Sequence, residues 1–207
     1  MWRIFLAFIL LPLCSFSQNE SGQYIDYGLL RMQGNIAMGT MLAQSTANYY
    51  IAGELEYYTS SSISIRGSSS FLLGSTNTLT GFRANHSILL GALYHLKTKN
   101  NFDPFLGIEP GFAISKLCGC IYSDSEEPLL ERKGSKRPTT ANPIFTTALG
   151  FNYFANKYFN LFANVRLILG KHYSDIGAVS LNELKFSFGL GFHLWTKKGY
   201  CKFNKPL

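Results

Sequence analysis

Apolar and polar side chains alternate along most of the chain, and the alternation is clearest between Leu184 and Leu194. In this stretch the even-numbered positions are large and apolar, whereas the odd-numbered positions are polar or very small. A period of two predicts an extended strand with two unlike faces. A strand buried on both faces lacks this pattern. The wall of a transmembrane barrel has it, because that wall is apolar toward lipid and polar toward the lumen.

The same alternation recurs in seven earlier segments, so the sequence predicts eight strands. Their approximate extents are 28–42, 49–57, 63–73, 86–96, 103–117, 145–153, 159–170 and 184–195. The connections alternate in length, short at 59–62, 97–101 and 155–157 and long at 74–85, 118–142 and 171–183, with 43–48 a brief exception. Short periplasmic turns and longer external loops are typical of outer-membrane barrels. The predicted fold class is all-β, an eight-stranded antiparallel up-and-down transmembrane β-barrel.

The N-terminal residues predict export. Arg3 precedes the apolar run 4–13, and Ser15 and Ser17 are the small residues that a signal peptidase inspects. The run is too short to span a bilayer as a helix. We therefore expect a signal peptide over 1–17 that is cleaved after Ser17, a barrel over 18–195 and a periplasmic C-terminal tail over 196–207.

Composition agrees with a membrane barrel. Charged residues make up only 15% of the chain and aromatic residues another 15%, which suits a soluble surface poorly. The formal net charge is +7, but export excludes nucleic acid as the partner. Anionic lipid headgroups are the partner that remains for this basic charge.

Charged side chains share the polar faces of the predicted strands. The interior of an eight-stranded barrel is only wide enough for side chains, so we expect these charges to fill it as a stabilising ion-pair network rather than to line an ion pathway. The predicted network contains Arg31, Glu54, Glu56, Arg66, Glu109, Arg166 and Lys185, together with His95 and His193.

Three motifs carry a resemblance: the SFSQ junction, the PFLGIEPGF strand and the closing SFGLGFHLW strand. Over residues 24–195 the chain resembles the OmpA/OmpX-like eight-stranded outer-membrane barrels of Gram-negative bacteria, the outer membrane beta-barrel domain proteins. The resemblance implies location in the cell outer membrane and contact with its lipid and lipopolysaccharide. It also implies a barrel assembly machinery that reads Ser187, Gly189, Phe192 and Leu194. In that family the signal ends the chain, whereas here residues 196–207 follow it.

The predicted role is structural or adhesion-like, exerted through the external loops, without enzymatic activity, cofactor or metal. No phosphate-binding glycine loop, zinc motif or nucleophile elbow occurs in the sequence. A soluble lipocalin-like carrier is an alternative, but it requires an apolar lumen.

A second alternative comes from His172, Ser174 and Glu183, whose spacing is similar to the His-x-Ser motif and following acid of the lipid A deacylase barrels. That likeness implies an acyl hydrolase in which histidine activates serine, although Asp175 replaces the asparagine of that family and strand parity turns His172 inward.

The longest predicted loop, 118–142, carries two further features. Its basic run, Arg132, Lys133, Lys136 and Arg137, suits lipopolysaccharide phosphates if the loop folds onto the membrane. Its thiols, Cys118 and Cys120, lie on the opposite side of the membrane from Cys201 in the tail. The predicted topology therefore excludes a disulfide between loop and tail, and the states of these thiols stay open.

Overall fold

The computed structural model describes residues 25–44, 46–76, 82–98, 100–117, 139–156, 158–174 and 177–196. These residues form nine strands, eight of which build the barrel wall. The strands are β1 (Leu29–Met41), β2 (Ala47–Tyr58), β3 (Ile63–Ser75), β4 (Phe82–His95), β5 (Phe102–Leu117), β6 (Thr140–Phe154), β7 (Phe159–Ser174), β8 (Gly177–Ser180) and β9 (Glu183–Trp195).

The sheet is antiparallel and closed. Strands β1 to β7 pair with their neighbours in chain order, and β9 pairs with both β7 and β1. Closure leaves the barrel without a free edge. At the seam, Thr196 N donates to Gly28 O at 3.0 Å, so β1 begins and β9 ends at the same side of the barrel. The predicted fold class is confirmed.

Local side-chain hydrogen bonds form the short turns. The hydroxyl of Ser60 accepts from the backbone N–H groups of Ser62 and Ile63, and the amide oxygen of Asn156 accepts from those of Tyr158 and Phe159. Such bonds make serine and asparagine good turn residues. The side of the barrel that carries the connections 59–62, 96–101 and 155–158 is called the short-turn end below. The opposite side is called the long-loop end.

The two faces of the wall are those that the alternation predicts. Large apolar side chains stand exposed on the outside, among them Leu149 at 65%, Phe188 at 64% and Leu90 at 63%. The residue before each of them, Ala148, Ser187 and Leu89, is buried in the lumen. A continuous apolar exterior around a polar interior is the arrangement of a membrane barrel. None of the described residues form a helix long and apolar enough to cross a membrane.

All three long predicted loops are shorter than expected, and in the case of 118–142 the reason is that β6 begins at Thr140. Residues 171–183 were predicted to be a loop, but β7 continues to Ser174 and pairs with β8 to form a hairpin at the long-loop end. Likewise β3 reaches Ser75 and β4 begins at Phe82, which shortens the predicted loop 74–85. The predicted signal peptide, the loop residues 118–138 with their cysteines and basic run, and the tail 197–207 lie outside the described residues.

Candidate functional site

The lumen holds most of the buried polar groups, and at the short-turn end they surround Arg31. Its Nη2 lies 2.5 Å from Glu56 Oε2, and its Nη1 lies 3.9 Å from Asp103 Oδ2. The ring of His95 bridges the same two acids, with Nε2 3.1 Å from Glu56 Oε1 and Nδ1 2.9 Å from Asp103 Oδ1. Tyr58 donates its hydroxyl to Asp103 Oδ2 at 3.0 Å. This group therefore ties β1, β2, β4 and β5 together across the lumen.

Four side chains from β2, β3, β5 and β7 form an alternating ring in the middle of the barrel. Arg66 makes a two-point contact with Glu109, with Nε 2.9 Å from Oε1 and Nη2 3.0 Å from Oε2. Arg166 reaches both acids, with Nε 3.0 Å from Glu109 Oε2 and Nη2 3.0 Å from Glu54 Oε1. Arg66 Nη1 closes the ring at 3.3 Å from Glu54 Oε2. Each carboxylate thus stands between two guanidinium groups, the pairing that buried charges need.

A third group lies toward the long-loop end, around Glu183. Tyr50 donates its hydroxyl to Glu183 Oε1 at 2.9 Å, and Asn48 donates Nδ2 to the same oxygen at 2.9 Å. Lys185 Nζ lies 3.8 Å from Glu183 Oε2 and 3.7 Å from the centroid of the Tyr50 ring, and it donates to Ser70 Oγ at 3.2 Å. The lysine is therefore held by an acid, an aromatic face and a hydroxyl.

Apolar clusters cover the charged groups at both ends. At the short-turn end Leu29, Tyr58 and Phe154 pack together, with Ile25 and Trp195 against them. At the long-loop end the cluster contains Met41, Phe82, Leu89, Ala113, Leu117, Ile144, Ile168 and Leu181, with Leu72 and Val179 packed on it. Leu181 follows the β7–β8 hairpin and lies buried inside the mouth of the barrel.

Little space is left inside. Two cavities near Lys185 measure about 10 Å³ each, roughly the volume that one water molecule needs. Both lie between the central charges and the apolar cluster at the long-loop end. No group of three or more side chains that could hold a metal ion occurs among the described residues.

All seven charged residues that the sequence assigns to the lumen are buried there, as are His95 and His193. The structure adds the acids Asp103 and Glu183, so five carboxylates face Arg31, Arg66, Arg166, Lys185 and the histidines. The alternation along β5 indicates an inward side chain at Asp103, because Asp103 shares the face of Glu109. Tyr50 and Tyr58, which share the face of Glu54 on β2, were missed in the same way.

The residues of the predicted hydrolase do not form a triad among the described contacts. His172 is buried, and its Nδ1 lies 2.8 Å from Ser115 Oγ and 3.0 Å from Thr140 Oγ1. Glu183 instead contacts Asn48 and Tyr50 of β2 and Lys185 of its own strand. The side chain of Ser174 lies outside the described residues. The acid that should orient His172 is therefore committed to another group.

The four residues of the predicted assembly signal all lie on β9. Ser187 is buried in the lumen, whereas Leu194 is exposed on the outer face. The Phe192 ring contacts Phe159 at 5.5 Å between centroids and stacks on Tyr158 at 6.3 Å, near the short-turn end. Recognition of this strand by an assembly machinery stays a prediction.

Comparison with solved structures identifies the fold. The chain is similar to the N-terminal β-barrel domain of Pseudomonas aeruginosa OprF, with 13% identity, a TM-score of 0.53 and coverage of 81% of this chain and 98% of that one. It is similar to Neisserial surface protein A, with 12% identity, a TM-score of 0.57 and coverage of 81% and 96%. Pseudomonas aeruginosa OprG gives 12% identity, a TM-score of 0.57 and coverage of 84% and 99%.

No model of a known protein family matches the sequence, and no curated protein matches it either. The structural likeness therefore shows the fold and not the activity, since one fold serves many functions. That fold is the eight-stranded antiparallel barrel of outer-membrane proteins.

Proposed function

We propose that this protein is an outer-membrane barrel with a closed lumen, whose structural or adhesion-like role is exerted through the loops at its long-loop end. In this proposal the short-turn end faces the periplasm and the long-loop end faces the cell exterior, as loop lengths in such barrels favour. The outer-membrane location rests on the apolar exterior and on the barrels to which the chain is similar.

The observation that carries the proposal is the filled lumen. Ion pairs occupy its centre, and an apolar cluster seals it at each end. An ion crossing this path would have to separate buried charge pairs and pass through packed apolar side chains, which costs several kcal/mol at each step. The same network does not suit a soluble carrier, because a lipocalin-like lumen must accept an apolar ligand.

Two measurements on the full chain test the proposal. After cell fractionation the protein should be found in the outer membrane and should migrate faster on gels when it is not boiled. Purified barrel in planar lipid bilayers should give no stepwise conductance, whereas a general porin measured in parallel should. Stepwise currents that scale with the amount of protein, or a soluble periplasmic pool, would contradict the proposal.

A further inference from the structure

The outer face of the barrel carries very few charges, and their distribution is uneven. Within the described strands, the charged residues on the outer face are Arg83 on β4, Lys116 on β5 and Lys171 on β7. All three are cations, and all three lie at the long-loop end. The described outer positions at that end of β9, β1, β2 and β3 are uncharged, among them Leu184, Thr40, Ala47 and Gly74. The three cations, named here the cationic rim, therefore occupy one side of the barrel.

A β-bulge places Arg83 in this rim. Phe82 pairs with Leu117 and Ala84 pairs with Lys116, so Arg83 is an extra residue in β4. Phe82 and Asn85 are both buried on the lumen side, whereas Arg83 between them is exposed. Without the bulge, strand parity would turn the guanidinium group into the lumen with Asn85. Bulges commonly re-aim a side chain in this way, and here the result is Arg83 beside Lys116.

Two cations of the rim lie next to the apolar belt of the outer face. On β7, Lys171 follows the exposed Leu169 by two positions, and the exposed Tyr173 follows Lys171. On β5, Lys116 stands two positions beyond Ile114 and four beyond the exposed Phe112. Lys116 and Lys171 are thus just past the end of the apolar belt on their strands, and Arg83 lies next to Ala84, the pairing partner of Lys116. Among the described residues, none of the three forms an ion pair, and no acidic side chain shares their face.

We propose that the cationic rim binds the phosphate groups of a phosphorylated glycolipid in the outer leaflet. The inference rests on the proposed function, since it requires the long-loop end to face outward. A guanidinium group donates two parallel hydrogen bonds to a phosphate, and a lysine adds a compact positive charge. Because the rim spans β4, β5 and β7 only, the protein binds the lipid on one side of its wall.

The test compares two variants by native mass spectrometry of the refolded full chain with diphosphorylated lipid A. R83Q/K116Q/K171Q removes the rim, and K97Q removes an exposed cation at the short-turn end as a matched control. The rim variant should bind the lipid roughly tenfold or more weakly than the parent, because each interfacial cation contributes to the attraction. K97Q should bind as the parent does. Lipid A from which both phosphates have been removed should bind the parent as weakly as intact lipid A binds the rim variant.

Equal binding by the parent and the rim variant, or no effect of removing the phosphates, would overturn the inference. The unheated gel mobility of the rim variant shows whether it is folded. If the rim variant is not folded, two other measurements decide the question. They are the binding of intact lipid A to K171Q and the binding of dephosphorylated lipid A to the parent. Failure of the proposed function can be distinguished from failure of this inference. It would appear as conductance or as a soluble parent protein, whatever the result of the lipid-binding measurement.

Discussion

At the scale of single residues, Glu109 is the central acid of the lumen, because its two carboxylate oxygens accept hydrogen bonds from both Arg66 and Arg166. Glu109→Gln removes the negative charge while keeping the shape of the side chain. Two buried guanidinium groups would then share only Glu54. Breaking a buried pair in this way costs about 3–5 kcal/mol, so we expect the free energy of unfolding to fall by that amount. Urea titration of the barrel in lipid vesicles measures it.

The double variant Glu109→Gln/Arg166→Gln is the control for this change. It restores the charge balance and should recover part of the loss, which a purely steric effect would not do. A Glu109→Gln barrel with an unfolding free energy within about 0.5 kcal/mol of the parent would show that the ring contributes no stability.

The sequence reveals which residues face inward but not which of them meet. Strand alternation assigns Glu54, Arg66 and Arg166 to one face. Their contacts depend on the stagger of eight strands around the barrel, which no single strand encodes. Asp103 is missing from the predicted network, although it opens the predicted strand 103–117 and shares the parity of Glu109. The spacing of Glu183 from His172 predicts a catalytic acid, whereas its hydrogen-bond donors are side chains of β2.

At the scale of elements, the contact between β9 and β1 closes the wall, and Gly189 shows how tight it is. A Cβ at Gly189 would lie 2.1 Å from Gly34 O and 2.9 Å from Asn35 Cα. Both are backbone atoms of a paired strand, and they cannot move aside as a side chain does when it changes rotamer. We expect Gly189→Ala to lower the unfolding free energy by about 1–3 kcal/mol, as overpacking does. Refolding into vesicles, followed by gel mobility across a urea series, measures this without any assembly machinery.

Gly53 provides the matched control on β2. A Cβ there would have Gln33 O at 3.9 Å as its nearest neighbour, because the position faces outward into open space. Gly53→Ala should leave the unfolding free energy unchanged or slightly raised, since alanine restricts the unfolded chain more than glycine does. Equal destabilisation by the two alanines would mean that the close approach at the seam is not real.

The eight wall strands were predictable because each repeats the same apolar and polar alternation for most of its length. The elements that the sequence missed have no such repeat. The extension of β7 and the short β8 combine charged, aromatic and small residues in 171–183, a composition typical of a loop. Their pairing is stabilised instead by tertiary contact, with Leu181 and Val179 in the apolar cluster at the long-loop end. The bulge at Arg83 likewise appears only in the pairing of β4 with β5.

At the scale of the whole molecule, the protein has an inverted arrangement of polarity. Its charges lie at the centre, apolar clusters close the two ends, and the outside is a belt of aliphatic and aromatic side chains. Such an exterior is stable only in an apolar surrounding, because water around it would incur the full cost of apolar exposure. The fold therefore requires lipid around the wall.

Two adjacent leucines on β4 test this arrangement most directly, because Leu89 is 4% exposed and Leu90 is 63% exposed. Methyl-labelled protein in a lipid nanodisc should give NMR cross-peaks between lipid acyl-chain protons and the methyl groups of Leu90, and none for Leu89. The result predicted here is contact for Leu90 alone. Acyl-chain contact for Leu89, with Leu90 showing contacts only to other protein side chains, would contradict the account.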